Sequence, residues 1–266
     1  MIRGLYTAAS GMMNSLLAND TLSGNLANAD TVGFKKNRVS FQAFPEVMIQ
    51  KMSADGTAAV GNISTGSRVR ESRIDFTAGS MYQTGNTFDM AIEGPGFFTI
   101  QSKDDGKTYY TRAGHFTIDG DGFLSTANGD FVLGSLGKIN TKQESPPFNI
   151  TSSGDLTSHP GGETRGQGKI IDRIKITRFE NDAFLQKASD TMFAPTQFTK
   201  TLPDPLTGDP LDYSIHQGAL EHSNTNVVSE LVNSITGLRL YEALQKNIHM
   251  QNETVGKAVN DVGRYR

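Results

Sequence analysis

Few residues in this chain are spaced for chemistry. His216 and His222 stand six apart near a helix start, a separation that suits no common zinc motif. Asp119-Gly120-Asp121-Gly122 looks like the opening of a calcium loop. An EF-hand loop needs Gly at its sixth position and a bidentate Glu at its twelfth, where this chain has Leu124 and Asp130. The run reads instead as a hairpin turn. Gly94-Pro95-Gly96 lacks the third Gly of a dinucleotide fingerprint; Thr99 stands there, and no βαβ unit surrounds it. His115 lies in a strand-turn region and reads as packing or surface. With no Cys there is neither thiolate chemistry nor a disulfide. A hydrolase would need a Ser or a carboxylate pair assembled in a cleft from distant residues. The residue types point away from an enzyme and call for no cofactor or metal.

The bulk properties narrow the partners. The 266 residues suffice for one or two domains with a real core. A net charge of −3 and a pI near 6.0 give no electrostatic reason to bind nucleic acid or an anionic membrane. No apolar run approaches the ~20 residues of a membrane span, so no membrane insertion is expected. Arg3 is not followed by an adequate apolar stretch or a small-residue cleavage site, so a secretory signal peptide is not expected. A protein of this kind that leaves the cell needs another route. The 28 Gly and low aromatic content predict a turn-rich β portion.

Two helices frame that portion. From Asn226 onward, Ser234, Leu238, Tyr241, Gln245, Ile248, Asn252, Val255, Val259 and Val262 recur at spacings of four and three, one stripe of a long helix. Leu231, Ile235 and Leu244 widen it near the start. At the other end, Leu5, Ala9, Met12, Leu16, Asn19, Ser23 and Leu26 follow the same alternation, with Met13, Leu17 and Leu22 off the stripe. Helices like these draw their stability from packing. A single two-helix contact would not cover so much apolar surface. Gly11 and Gly24 permit close helix approach or a bend. Beyond the first helix, Gly33 is placed to adopt a left-handed conformation, and Lys35, Lys36 and Arg38 read as a solvated basic cluster.

Between the helices, residues Asn37 to Gly79 show no sustained periodicity. Arg68, Arg70 and Arg73 read as one solvent-facing set on a strand. From Ser80 the chain turns to short strands and tight turns, with Asp105-Gly106, Asp119-Gly120 and Asn128-Gly129 as hairpin signals. Ile170, Ile174 and Ile176 mark another strand. The expected architecture is α+β. N- and C-terminal helices form a coiled-coil-like α domain, with a central all-β domain of antiparallel hairpins. The expected divisions are 1–34 (first helix), 35–79 (extended or irregular connector), 80–215 (central β domain) and 216–266 (last helix).

Three groups of residues resemble the flagellar basal-body rod and hook protein family, and within it the rod proteins. Near the start these are Ser10-Gly11-Met12 and the run Asn25-Leu26-Ala27-Asn28, with Thr31, Gly33, Phe34 and Lys35. Near the end they are Gln217, Gly218, Ala219, Leu220 and Glu221, then Ser223 and Asn224, then Arg239, Tyr241, Glu242, Ala243, Gln245 and Lys246. In the middle they are Gln83-Thr84-Gly85-Asn86, the run from Asp89 to Phe98, and Tyr110-Thr111-Arg112-Ala113-Gly114 with Phe116.

The resemblance implies a structural subunit exported unfolded through the flagellar type III apparatus. It would self-assemble into a hollow helical tube that transmits motor torque to the hook. Its partners would be copies of itself and other rod and hook proteins, in the basal body outside the cytoplasm, in the periplasm or cell-wall zone. The residues expected to be shared between copies are Leu5, Met12, Leu16 and Leu26 on the first helix. On the last helix they are Leu231, Ile235, Leu238, Tyr241, Ile248, Val255 and Val259, with Gln245 and Asn252 setting register. The alternative from another class is a monomeric secreted β-rich adhesin with a helical stalk.

Overall fold

The computed structural model of the chain describes residues 2–44, 46–53, 56–64, 66–142, 148–158, 169–202 and 212–263. They fall into two compact units. One contains Met1–Ala27, Asn37–Arg73 and Asn226–Arg266; the other contains Asn28–Lys36 and Ile74–Thr225.

The first unit holds the long helices, α1 (Ile2–Ala27) and α2 (Val227–Gly263). Asn226 caps α2: its side-chain oxygen accepts from the Ser229 amide at 3.0 Å, and its carbonyl accepts from Glu230 N at 2.9 Å. Glu230 in the first turn also suits the positive end of the helix dipole. The two helices pack on each other through small and polar residues. Gly11 sits against Leu244, where a Cβ would come within 3.0 Å of Cδ1, and Gly4 lies under Gln251. Ser15 Oγ donates to the Gly237 carbonyl at 2.7 Å, and Ser234 Oγ donates to Asn19 Oδ1 at 2.7 Å. Gly4, Ala8, Gly11, Ser15 and Asn19 thus line the buried side of α1, with Ala8 and Ser15 the most enclosed. Asn19 and Ser234 belong to the stripes that periodicity picks out, whereas Gly4, Ala8, Gly11 and Ser15 lie beside the Leu5–Met12–Leu16 line.

Residues 35–79 lack helical or strand periodicity, yet most of their described length is paired. Asn37–Ala43 pairs with Ser67–Ile74, and Val47–Ser53 runs antiparallel to Gly56–Ile63. Backbone ladders stabilise these ribbons without needing an alternating apolar face. The first ribbon lies along α1, where Asn14 Nδ2 donates to Ser67 Oγ at 2.6 Å. Arg68 and Arg70 share one exposed face of their strand. Arg73 does not join them as a regular alternating third: it falls at an odd offset and pairs with Glu71 at 2.7 Å.

The second unit is built on a nine-stranded sheet. Its strands run in the spatial order Gln186–Lys187, Met192–Ala194, Thr108–Thr111, Phe97–Gln101, Phe131–Gly134, Leu124–Thr126, Phe116–Ile118. Gly137–Lys138 joins Phe131–Gly134, and Ile176–Thr177 joins Phe97–Gln101. The pairings are antiparallel and the hairpins turn where the Asp-Gly and Asn-Gly signals stand. Phe148–Ile150, Asp155–Ser158 and Lys169–Arg173 form a smaller sheet. Met90, Ile92, Phe98, Ile100, Phe116, Leu124, Val132 and Leu156 fill the main core. Phe97, Tyr110, Phe179 and Phe193 form a second cluster, with Phe76 edge-on to Phe97 and Phe193. The α+β architecture is as the sequence indicates.

Candidate assembly surface

Small residues line the α1 side of its contact with α2, where Leu244 seats on Gly11, and many of the other large apolar side chains of both helices stay exposed. Leu5, Leu16, Leu231, Ile235, Leu238 and Val259 are all exposed, Leu16 by 50% and Ile235 by 51%. Tyr6, Met13, Leu17, Val228, Val232 and Leu240 are exposed as well. Met12, Leu26, Tyr241, Ile248 and Val255 are half-buried. Gln245 and Asn252 are exposed and take no part in the seam; Gln251, one residue before Asn252, faces Gly4 instead. Arg239 and Glu242 are exposed on α2. So many exposed large apolar side chains on two helices are the kind of surface that interaction sites use.

A buried ionic clasp organises the second unit. Lys35 has a fully enclosed side chain, against its reading as part of a solvated cluster; Nζ donates to Glu221 Oε1 at 2.6 Å and to the Thr77 carbonyl at 2.8 Å. Gly79 N donates to the same Glu221 oxygen at 2.8 Å. Arg112 reaches Glu221 Oε2 at 3.5 Å and donates to the carbonyls of Ile92 and Gly94 at 3.1 and 2.7 Å. Its guanidinium lies 5.2 Å from the Phe97 ring centre, and its Nε is buried without a hydrogen-bond partner. Burial lowers the Lys35 ammonium from its ordinary pKa, and the Glu221 carboxylate opposes the shift. Burial lowers Arg112 in the same way. One carboxylate therefore holds two cations beneath the surface, closed to any substrate.

Local backbone brings the clasp together. Gly33 has φ +68°, its amide donates to the Glu221 carbonyl at 2.8 Å, and a Cβ would run into the backbone of Arg112 and Ala113. Phe34 is buried, with Lys187 Nζ 4.1 Å from its ring centre. Asn224 bridges Lys36, Asp75 and Thr77: its Oδ1 accepts from Lys36 N at 2.9 Å, and its Nδ2 donates to the two carbonyls at 2.7 and 3.1 Å. Gln217 spans neighbouring elements, donating to the Thr87 and Phe148 carbonyls and accepting from Ile150 N. Gly218 has φ +74°, and its carbonyl accepts from the amides of Thr84 and Gly85. Ser223 is buried and bonds Thr225, and Asn28 accepts from Thr31 through both its carbonyl and its side chain. In the helical unit, Asn25 forms a two-way bridge with the Asn37 backbone at 2.8 and 2.9 Å.

Two clusters mimic catalytic sets. Glu93 Oε2 and Ser214 Oγ both meet the same nitrogen of His216, at 2.6 and 3.2 Å, so the acid does not orient the opposite nitrogen as a triad requires. His115 meets Asp89 at 2.7 Å, and Thr84 and Asn86 also donate to that carboxylate, which makes it a turn anchor. Asp119 likewise spends its carboxylate on the amides of Asp121 and Phe123. No cluster suited to a metal ion occurs among the described residues.

Three family models match along the chain in order: a flagella basal body rod protein model over residues 5–35, the flagellar hook protein FlgE/F/G D1 domain over 91–158, and the flagellar basal body rod FlgEFG protein C-terminal model over 216–261. The rod protein FlgG of Bacillus subtilis is 31% identical, with 98% of this chain and 99% of the relative covered. FlgG of Borreliella burgdorferi is 32% identical, with 98% of each covered. FlgF of Caulobacter vibrioides is 32% identical, with 99% of each covered. The chain belongs to the flagellar basal-body rod protein family. Its place there is that of a structural rod subunit of the flagellum.

The rod-family motif residues divide between the two features. Gly33, Phe34, Gln217, Gly218, Ser223 and Asn224 build the β-rich unit around the clasp, whereas Arg239 and Glu242 sit on the open surface of α2. The ionic roles of Lys35, Arg112 and Glu221 escape sequence reasoning, although all three lie inside the motif runs. Apolar periodicity also passes over the small residues at 4, 8, 11 and 15, although their own four–three–four spacing is a signal.

Proposed function

We propose that this rod subunit polymerises through its terminal helices into a hollow helical tube that transmits motor torque to the hook. The reading rests chiefly on one observation. Within the chain, Gly4, Gly11 and Ser15 of α1 meet Gln251, Leu244 and Gly237 of α2, while Leu16, Leu231, Ile235 and Leu238 remain about half exposed. Each such side chain is already about half covered, so burial of the rest by a neighbouring copy contributes about half of the roughly 1.5–3 kcal/mol that full burial yields. Repeated along a tube, a few per neighbour outweigh the entropy of ordering long helices. A heterologous contact that does not close generates a filament.

The residues shared between copies are Leu5, Met12, Leu16 and Leu26 with Leu231, Ile235, Leu238, Tyr241, Ile248, Val255 and Val259. Gln245 and Asn252, polar and exposed, select the register. The same reading covers export through the flagellar type III apparatus, an extracytoplasmic place in the basal body, contact with other rod and hook proteins, and a role that is structural rather than catalytic.

Amide exchange on the purified full chain tests the reading. In dilute monomer, the expected result is a protected β-rich unit with weakly protected helices that become protected on assembly. Full protection of both helices in dilute monomer, with no polymer by sedimentation at any concentration, would overturn it. Imaging an intact basal body with the protein labelled supplies the second arm, because absence from the axial structure also refutes it.

A further inference from the structure

Charge is unevenly divided between the two units. By sequence, the helix-and-ribbon unit has eleven Lys and Arg against eight Asp and Glu, a formal charge of +3. The β-rich unit has fourteen against twenty, a charge of −6. A net charge of −3 hides this opposition. The cationic side has a definite local feature. Arg68 and Arg70 stand two residues apart on the Ser67–Ile74 strand, so they share a face, and both are exposed. Neither makes an ion pair within 4.0 Å among the described residues. Ser67, on the other face of the strand, contacts α1, so the arginine face is the one turned away from α1.

From this complementarity we infer that the Arg68–Arg70 face docks on the acidic β-rich unit of a second copy of this chain. The inference deepens the assembly reading and rests on it. Apolar helix contacts are non-directional and tolerate sliding by a turn, whereas guanidinium–carboxylate contacts are directional and penalise a wrong juxtaposition. The arginine face therefore sets which part of a neighbour meets the ribbon. The apolar helix surface supplies most of the attraction. Arginine suits this task because its planar fork pairs bidentately with carboxylates such as exposed Asp104, or Asp121 and Asp190, which are exposed and only loosely paired with Lys142 and Lys187 at 3.9 Å.

The test uses the full chain assembling in dilute salt. A double variant, R68E/R70E, is expected to keep the wild-type circular dichroism and to raise the critical concentration for assembly about tenfold, as loss of a few exposed ion pairs does. That difference is expected to shrink in 0.5 M NaCl, as screening of exposed charges requires. In parallel, a benzophenone amino acid is placed at position 70, and equal amounts of isotopically light and heavy chains are co-assembled and irradiated. The expected adducts join light to heavy chains, with the acceptor peptide between residues 74 and 225.

If R68E/R70E assembles at the wild-type concentration, or the adducts fall on helical peptides or stay within one chain, the inference is overturned while the assembly reading stands. If the wild type never sediments as a polymer, the assembly reading fails and takes this inference with it.

Discussion

Replacing Glu221 is the most informative single perturbation, because its carboxylate is the only anion of the clasp. In Glu221→Ala, the Lys35 ammonium and the Arg112 guanidinium stay enclosed without their directly bonded carboxylate, with only the unbonded Asp75 and Asp182 left to act on them, and Gly79 N loses its acceptor. Breaking a buried ion pair by removing one partner costs about 3–5 kcal/mol. Lys35→Met is a milder change. It removes one of two cations, and Glu221 keeps Gly79 N and Arg112. The Thr77 carbonyl still accepts from Asn224 Nδ2 at 3.1 Å, so it is not orphaned. The loss there is nearer that of one charged hydrogen bond, about 1.5–3 kcal/mol, partly offset by relieving burial of the ammonium. Glu221→Gln keeps an acceptor but not the charge and falls between the two.

Urea unfolding of dilute monomer, followed by circular dichroism and Tyr fluorescence since the chain has no Trp, reads this order directly. With a slope of about 2 kcal/mol/M, Glu221→Ala moves the midpoint down by about 2 M and Lys35→Met by less than about 1 M. Suppose instead that Glu221→Ala falls within about 0.5 kcal/mol of wild type, or that Lys35→Met is the more damaging. Charge balance would then not be what holds the clasp, and the reasoning from burial would be wrong.

Gly33→Ala is expected to cost at least ~1–2 kcal/mol, since φ +68° disfavours any Cβ and the Arg112–Ala113 backbone occupies its place. Gly24→Ala, in α1 with open space around its Cβ position, is expected to stabilise the monomer by about 0.5–1 kcal/mol in the same urea assay. Ile235→Ser with Leu238→Ser should leave the monomer's melting curve nearly unchanged, because both side chains are exposed, yet abolish sedimentable polymer. Asp105 is held down to about 2 by the Lys107 amide and the Tyr109 hydroxyl. Its folded pKa lies below the unfolded 3.8, so the stability it adds is present above pH 3.8 and is lost as pH falls through about 2. Asp105→Asn should flatten the acid limb of a stability–pH profile in that window.

How much of this is legible in the residues depends on which force does the positioning. Apolar periodicity locates both helices within a few residues, and Asp119-Gly120 and Asn128-Gly129 locate hairpins, because those signals are local. The same periodicity includes Asn19 and Ser234, which meet across the seam, but passes over most of the α1 side of that contact. It weights Leu and Met, whereas close approach of two backbones depends on having little side chain, as at Gly4, Ala8, Gly11 and Ser15. The clasp is hidden for a different reason. Lys35, Arg112 and Glu221 are far apart in the chain, and a buried lysine looks the same in a sequence as a solvated one. The paired strands between residues 37 and 74 are hidden because ribbon pairing is satisfied by backbone bonds and leaves no periodic trace.

The seam between α1 and α2 and the apolar surface around it have different jobs, and their chemistry shows why both are needed. Hydrogen bonds such as Ser15 to Gly237 and Ser234 to Asn19 are directional, so they choose one register for the helix pair within a chain. Net of water, each is worth only about 0.5–1.5 kcal/mol. A seam of this kind aligns the helices but supplies little of the stability that long helices draw from packing. Leu16, Leu231, Ile235 and Leu238 stay about half exposed and are the side chains that the proposed assembly would cover. Had those side chains faced the seam instead, the pair would be satisfied within one chain and a lone subunit would have little to gain from a neighbour. In the proposed assembly, small residues on the α1 side of the seam and exposed large ones around it would make contact with neighbouring copies a main source of helix stability. The enclosed Lys35–Glu221–Arg112 clasp lets the β-rich unit hold its own fold throughout.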